Sequence, residues 1–237
     1  MSEHTVKAFG EELNHLAAEV ARMGGLAEAQ VADAVDTVSR RDVKLAQNVI
    51  ERDAKLDTLE VEIERMAIKM IALRQPFAQD LRRTVSAMKI AGNLERCGDL
   101  AKNIAKRGVV LSDSEPITPL TRSIERMGRL VASRLKEVLD AYTAGEVMRA
   151  DAVWARDDEV DEHYNSIFRE LLTYMMGDPR TIQACAHLLF IAKNLERIGD
   201  HATNIAEIIH YEITGEEMPS DRPKGDALRP RDEGDLA

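Results

Sequence analysis

The sequence predicts an all-α fold: two tandem, pseudo-symmetric three-helix bundles built from long, spectrin-repeat-like antiparallel helices. Three observations carry that prediction. Apolar residues recur at alternating three- and four-residue steps along most of the chain, one thirteen-residue motif occurs twice, and the helix breakers fall at corresponding places in two halves. No stretch shows sustained two-residue alternation with β-branched enrichment, so no sheet is expected.

In the first helix, 5–41, the seam runs Leu13, Leu16, Val20, Met23, Ala27, Val31, Ala34, Val38. The second, 43–74, continues it with Leu56, Leu59, Ile63, Met66, Met70 and Leu73, and the third, 76–110, with Ala87, Ile90, Leu94, Cys97, Ala101 and Ile104. Such seams bury one stripe per helix. Arg41-Asp42 is a tight turn with Asp42 the N-cap of the second helix. Gln75-Pro76 ends that helix and places Pro76 in the first turn of the third. The second half repeats the plan with helices over 118–143, 146–176 and 179–214, and Gly177-Asp178-Pro179 takes the place of Gln75-Pro76. Between the halves (5–110 and 118–214), LSDSEPITP at 111–119 reads as a linker. The charged, proline-containing stretch 215–237 has no periodicity and is expected to be a disordered tail.

The chain has 237 residues, 44% hydrophobic and 31% charged, enough to bury a sizeable core. Its net charge of −10 argues against nucleic acid as a ligand and fits cations or a basic partner. No apolar run approaches a membrane span; LLFIA at 188–192 is among the longest. The N-terminal MSEHTVKAFGEELNHL lacks a basic-then-apolar signal pattern, so a cytoplasmic location without direct membrane insertion is expected. Cys97 and Cys185 occupy non-equivalent repeat positions and belong to no CxxC, which suits two buried thiols.

The motif that carries chemistry is NLERCGDLAKNIA at 93–105, repeated as NLERIGDHATNIA at 194–206 with ten of thirteen positions identical. Glu95, Asp99 and Asn103, like Glu196, Asp200 and Asn204, recur every fourth residue and stack along one helix face. A second repeat, offset by 104, pairs VIERDAKLDTLEVEI (49–63) with VWARDDEVDEHYNSI (153–167). It carries Asp53 and Asp57, matched by Asp157 and Asp161. If the second and third helices of each half face each other there, four carboxylates converge. Oxygen-only sets of that kind suit hard divalent cations or iron, and bridging carboxylates suit multinuclear clusters. The candidate metal ligands are Asp53, Asp57, Glu95 and Asp99, then Asp157, Asp161, Glu196 and Asp200. Because Glu95 and Asp99 lie about 100° round from the buried stripe, a shallow site on the bundle flank is expected. Gly98 and Gly199, in mid-helix, fit close approach by a neighbour. The plainer alternative is a solvated acidic face neutralised by Arg52, Arg96, Arg156 and Arg197.

Nothing in the chain supports catalysis: it lacks GxxxxGK[ST], GxGxxG, HExxH and GxSxG. Glu12-x-x-His15 and Glu207-x-x-His210 match the ExxH pattern of ferritin-like di-iron bundles, which is the alternative functional reading, but they are not repeat equivalents. His201 follows Asp200, yet its counterpart is Leu100.

At these signatures the chain resembles the PhoU family of phosphate-signalling regulators. The matching stretches are MGGLAEAQ (23–30), ERD with LDTLE (51–60), IALRQPFAQDLR (71–82), KIAGNLERCGDLAKNIAKR (89–107) and KNLERIGDHATNIAE (193–207). The resemblance covers residues 5–214. It implies a cytoplasmic, non-enzymatic negative regulator of phosphate uptake and homeostasis, expected as a homodimer. Its partners would be the ATPase of the phosphate ABC transporter and the phosphate sensor histidine kinase. It also implies multinuclear iron or zinc, with manganese or magnesium as further candidates, held by the eight acids named above. One departure bears on the second site: Glu60, a further possible ligand, aligns with Tyr164.

Overall fold

The computed structural model describes residues 3–219, side chains from residue 9 onward; the expected tail lies mostly outside the described residues, which end at 219. The order is α1 (Glu3–Arg40), α2 (Val43–Arg74), α3 (Gln79–Ser112), α4 (Thr118–Ala144), α5 (Val147–Trp154), α6 (Asp158–Gly177), a 3-10 turn (Pro179–Thr181) and α7 (Ile182–Thr214). Among the described residues there is no strand, and no helix is long and apolar enough to cross a membrane. The fold is the predicted pair of three-helix bundles, with α5 and α6 together standing for the middle helix of the second.

The first turn is as expected: the Leu45 amide donates to the Asp42 carboxylate at 3.0 Å, which satisfies one of the orphan donors of α2. The third helix differs from expectation. Gln75 closes α2 in the left-handed region (φ 48°) with its N–H on the Ile71 carbonyl. Ala78 is also at positive φ (50°), so α3 starts only at Gln79. Pro76 therefore sits in the reversal, not in the first turn of α3.

The second-half middle helix is also broken, which the periodicity did not reveal. At the break the ladder shifts to three-residue bonds: Arg156 N–H donates to Val153, Asp157 N–H to Trp154 and Val160 N–H to Asp157. The cause is a buried side chain. Arg134, 3% exposed, reaches from α4 and donates to the Val153 carbonyl at 3.1 Å and to Glu159 at 2.5 Å. In a continuous helix that carbonyl would accept from the Asp157 amide; here a guanidinium and Arg156 N–H take it.

The two bundles share one hydrophobic core, because α1 packs on α4 and α3 on α7. Repeat positions meet reciprocally across the α1–α4 contact. A Cβ on Gly24 would lie 2.6 Å from Leu139 Cδ2, and a Cβ on Gly128 would lie 2.5 Å from Val35 Cγ2. Gly24 and Gly128, like Val35 and Leu139, are 104 residues apart, so the halves meet as two copies of one surface would about a twofold axis. Val35 is β-branched and crowds Gly128 with Cγ2, Cγ1 (2.7 Å) and Cβ (3.1 Å), whereas Leu139 meets Gly24 with a rotatable tip. We expect Gly128→Ala to lose up to about 2 kcal/mol, overpacking of about 1–3 being offset in part by a gain of about 1 in helix propensity. Gly24→Ala should change stability by less than about 1 kcal/mol. Urea unfolding of both variants checks the order. Cys97 and Cys185 are both buried and free, and burial, with the Glu95 charge adding, pushes the Cys97 thiol up to about 12.

Candidate functional site

The first ladder forms where α2 crosses α3, and glycine sets the separation. A Cβ at Gly98 would lie 2.4 Å from Leu56 Cδ1 and 3.2 Å from Asp53 Oδ1, so only glycine lets α2 bring Asp53 against the α3 backbone. Asp53 is 3% exposed, deeper than the flank position expected of the ladder. Its partners come from two other helices. Gln30 on α1, itself buried, donates to Asp53 Oδ1 at 3.1 Å and to the Gly98 carbonyl at 3.3 Å. Lys102 on α3 donates to Asp53 Oδ2 and, at 2.7 Å, to Asp99 Oδ1.

Charge explains the outer part of this cluster. Burial pushes the Glu95 carboxyl above the usual range, and the charges of Asp99, Glu60 and Asp57 push the same way against Arg96. The charges of Asp57 and Glu60 on α2 thus act on Glu95 on α3. Arg96 lies 3.3 Å from Glu95 and 3.6 Å from Asp99. Burial alone would lower the Lys102 ammonium, but its hydrogen bonds to Asp53 and Asp99 and their charges more than reverse this and raise it. Lys102 is thus a fixed cation between two of the four predicted ligands. Arg52 is engaged elsewhere, with Asp33 on α1.

The second ladder repeats the frame with different polar chemistry. Asp157 is buried like Asp53 and accepts from the hydroxyl of Thr203 at 2.6 Å, and Thr203 holds the repeat position of Lys102. Gly199 faces Val160, the counterpart of Leu56, with a Cβ-to-Cγ1 distance of 3.1 Å. Burial raises the Glu196 carboxyl, as does Asp200, while Lys193 and Arg197 oppose them. Lys193 lies 2.6 Å from Glu196 Oε1 and 5.3 Å over the Tyr164 ring. Glu196 Oε2 is buried with no hydrogen-bond partner. Asp161 lies in the first turn of α6, and Arg156 pairs with Glu137 on α4, the counterpart of the Arg52–Asp33 pair.

The donor chemistry, crowded carboxylates and one orphaned buried oxygen, fits a hard cation. As the side chains stand, however, no three His, Cys, Asp or Glu among the described residues converge to hold a metal ion. The ExxH segments do not combine either. Glu12 is bonded to Arg74 at 2.6 Å, His210 to Asp151 at 2.8 Å, and Glu207 accepts from Trp154 at 3.1 Å. His201 lies 2.9 Å from Asn93 across the α3–α7 contact, and burial lowers its pKa.

Sequence reasoning missed Gln30, Lys102 and Arg134. Two signals were available. Lys102/Thr203 is one of only three mismatches in the thirteen-residue repeat and stands three residues after Asp99. Gln30 and Arg134 are repeat equivalents, both polar, beside otherwise apolar seams.

Comparison with known proteins agrees with this internal duplication. The PhoU domain model matches the chain twice, at residues 20–108 and 124–209. The chain is 68% identical over 228 residues to the phosphate-specific transport system accessory protein PhoU homolog of Caulobacter vibrioides (strain NA1000 / CB15N), covering 96% of this chain and 99% of that one. It is 50% identical over 223 residues to the protein of the same name from Rhizobium meliloti (strain 1021), covering 94% of each. The crystal structure of PhoU from Pseudomonas aeruginosa superposes with a TM-score of 0.85 at 38% identity, over 88% of this chain and 100% of that one. The phosphate transport system regulatory protein PhoU from Streptococcus pneumoniae superposes with 0.82 at 27% identity, over 89% and 99%. These relatives are named as accessory and regulatory proteins, not as enzymes. With two matched domains, one signature in each, and the fold of two solved PhoU structures, the chain belongs to the PhoU family.

Proposed function

We propose that this protein is a non-enzymatic negative regulator of phosphate uptake and phosphate-starvation signalling. It acts as a cytoplasmic homodimer, an adaptor between the ATPase of the phosphate ABC transporter and the phosphate sensor histidine kinase. The observation that carries this reading is the near full-length likeness to phosphate-specific transport accessory proteins, at 68% identity over 228 residues. The acidic surface and long exposed helix faces suit a binding role.

The ladders extend the proposal to cation binding. Asp57, Glu95 and Asp99 with Asp53 would hold ions in the first half, and Asp161, Glu196 and Asp200 with Asp157 in the second. Bound iron, zinc, manganese or magnesium, in one ion or several, would neutralise the mutual repulsion that raises Glu95 and would partner Glu196 Oε2. Neutralised ladders join the middle and third helices of each bundle and present a fixed surface to a partner.

Deletion of the gene for this chain should derepress phosphate-starvation genes in phosphate-rich medium, read as transcript level, and the tagged protein should retain the transporter ATPase on a column. Unchanged transcription with phosphate plentiful contradicts the regulatory role.

A further inference from the structure

A cavity of about 610 Å³ lies between α1, the start of α3 and the C-terminal ends of α4 and α7. Alanines open it. Ala17, Ala18 and Ala21 on α1 and Ala87 on α3 line it, whereas their repeat counterparts, Thr121, Arg122, Glu125 and Leu188, narrow the corresponding cavity to about 230 Å³. Four ionisable side chains face the larger space: Asp80 and Arg83 from α3, Tyr142 from α4 and Glu212 from α7, while α1 adds Asn14 among apolar residues. Glu212 is poorly matched. Its side chain is 14% exposed, Arg83 Nε stands 3.9 Å away, and Oε2 is buried with no hydrogen-bond partner.

We propose that this cavity is a binding site for a small alkylammonium ion, whose charged head pairs with the Glu212 carboxylate. With Glu212 ionised, two carboxylates face the cavity against one guanidinium, so a cation is drawn in and an anion is not. A bare metal ion fits poorly, because no three His, Cys, Asp or Glu converge among the described residues. The last torsion of a glutamate side chain is soft, and turning it brings Oε2 to the cavity, where an ammonium N–H can donate to it and to the Tyr142 phenol oxygen. The alkyl chain then lies on the alanines beside Leu13 and Leu16. The volume suits a small organic molecule. Burial keeps the Glu212 carboxyl high at about 7, and a bound ammonium would lower it. The site shares no residue with the ladders.

The test is isothermal titration of the full-length protein with 1,4-diaminobutane. Saturable binding is expected at pH 8, about tenfold or more weaker at pH 5.5, where Glu212 is protonated; the diamine should also raise the melting midpoint at pH 8. The groups facing Glu212 in that titration are Arg83, Asp80 and Ser86 on α3 and Tyr142 on α4. Two variants locate the ligand. Glu212→Gln removes the charge, and Ala18→Arg, at an exposed position, copies Arg122 and puts a guanidinium at the cavity. Each should lose about tenfold or more in affinity, about 1.4 kcal/mol. No binding at pH 8 up to about 10 mM diamine, or wild-type affinity in either folded variant, would overturn the proposal. Binding of inorganic phosphate instead, lost in Arg83→Ala, would overturn it too, because the cavity would then take anions.

Discussion

Glu212→Gln should stabilise the protein by about 3 kcal/mol at pH 8 and by almost nothing near pH 4.5, at about 1.4 kcal/mol per pKa unit. Burial pushes the Glu212 carboxyl from 4.5 up to about 7, against the opposing charge of Arg83 and the hydrogen bond of Ser86. Arg83 Nε is 3.9 Å away, too far for a hydrogen bond, and Glu212 Oε2 is buried without a partner. From α4, the Tyr142 phenol faces the same cavity of about 610 Å³, and burial, with the Glu212 charge adding, raises it as well. The sign follows from proton binding. Between pH 4.5 and about 7 the folded chain holds a proton on Glu212 that the unfolded chain releases, so stability falls as pH rises through that window. Above about pH 7 the full penalty of a buried, poorly paired carboxylate is present, and glutamine removes it. Thermal unfolding of wild type and variant at both pH values should show a midpoint gain of roughly 6–12 °C at the higher pH only. An equal gain at both values would mean that the effect does not come from ionisation of Glu212, and no gain at either that its carboxylate is well paired.

The duplication makes Glu212 more informative. Its repeat counterpart is Leu111, that of Tyr142 is Val38 and that of Arg83 is Ala184. Leu111, Val38 and Ala184 line a smaller, mainly apolar cavity of about 230 Å³ at the equivalent end of the molecule. The fold therefore closes there with aliphatic residues, and the polar trio in the other half is not required by the architecture.

Much of this molecule was legible in the residues, for identifiable reasons. The seam from Leu13 to Val38 fixed α1 because a helix that long must bury every third or fourth side chain. Asp42 capped α2 as its position between two seams implied. Two i, i+4 ladders on adjacent helices pointed to acids that influence one another, and the charges of Asp57 and Glu60 do raise Glu95. What stayed hidden depends on contacts between distant residues. The α5–α6 break is made by Arg134, some twenty residues earlier, taking the Val153 carbonyl, which no local pattern encodes. The start of α3 depended on Gln75 and Ala78 adopting positive φ, a conformation glycine would have advertised and these residues do not. Depth was misjudged for the same kind of reason. Asp53 and Asp157 are buried because Gly98 and Gly199 draw the helices together and because Gln30, Lys102 and Thr203 satisfy them.

Those satisfied inner acids divide the ladders into two layers. Asp53 and Asp157 belong to the packed interior, where removing a partner carries a large penalty. Glu95, Asp99, Glu196 and Asp200 lie further out and make up the repeated Glu-x-x-x-Asp of the signature. Substituting these four by alanine relieves like-charge crowding, and the folded state should survive it: burial and neighbouring acids raise both Glu95 and Glu196, so their removal relieves unfavourable ionisation. Loss of metal can then be read without loss of structure, which circular dichroism on the same sample confirms.

Metal content of natively purified, chelator-free protein, by elemental analysis beside the Glu95→Ala/Asp99→Ala/Glu196→Ala/Asp200→Ala variant, tests the ladders most directly. Metal on the native protein and at least a tenfold loss from the folded variant is the expected result, a tenfold change being about 1.4 kcal/mol of binding free energy. A folded quadruple variant with undiminished metal, or a native protein with none, would contradict the assignment of cation binding to these acids.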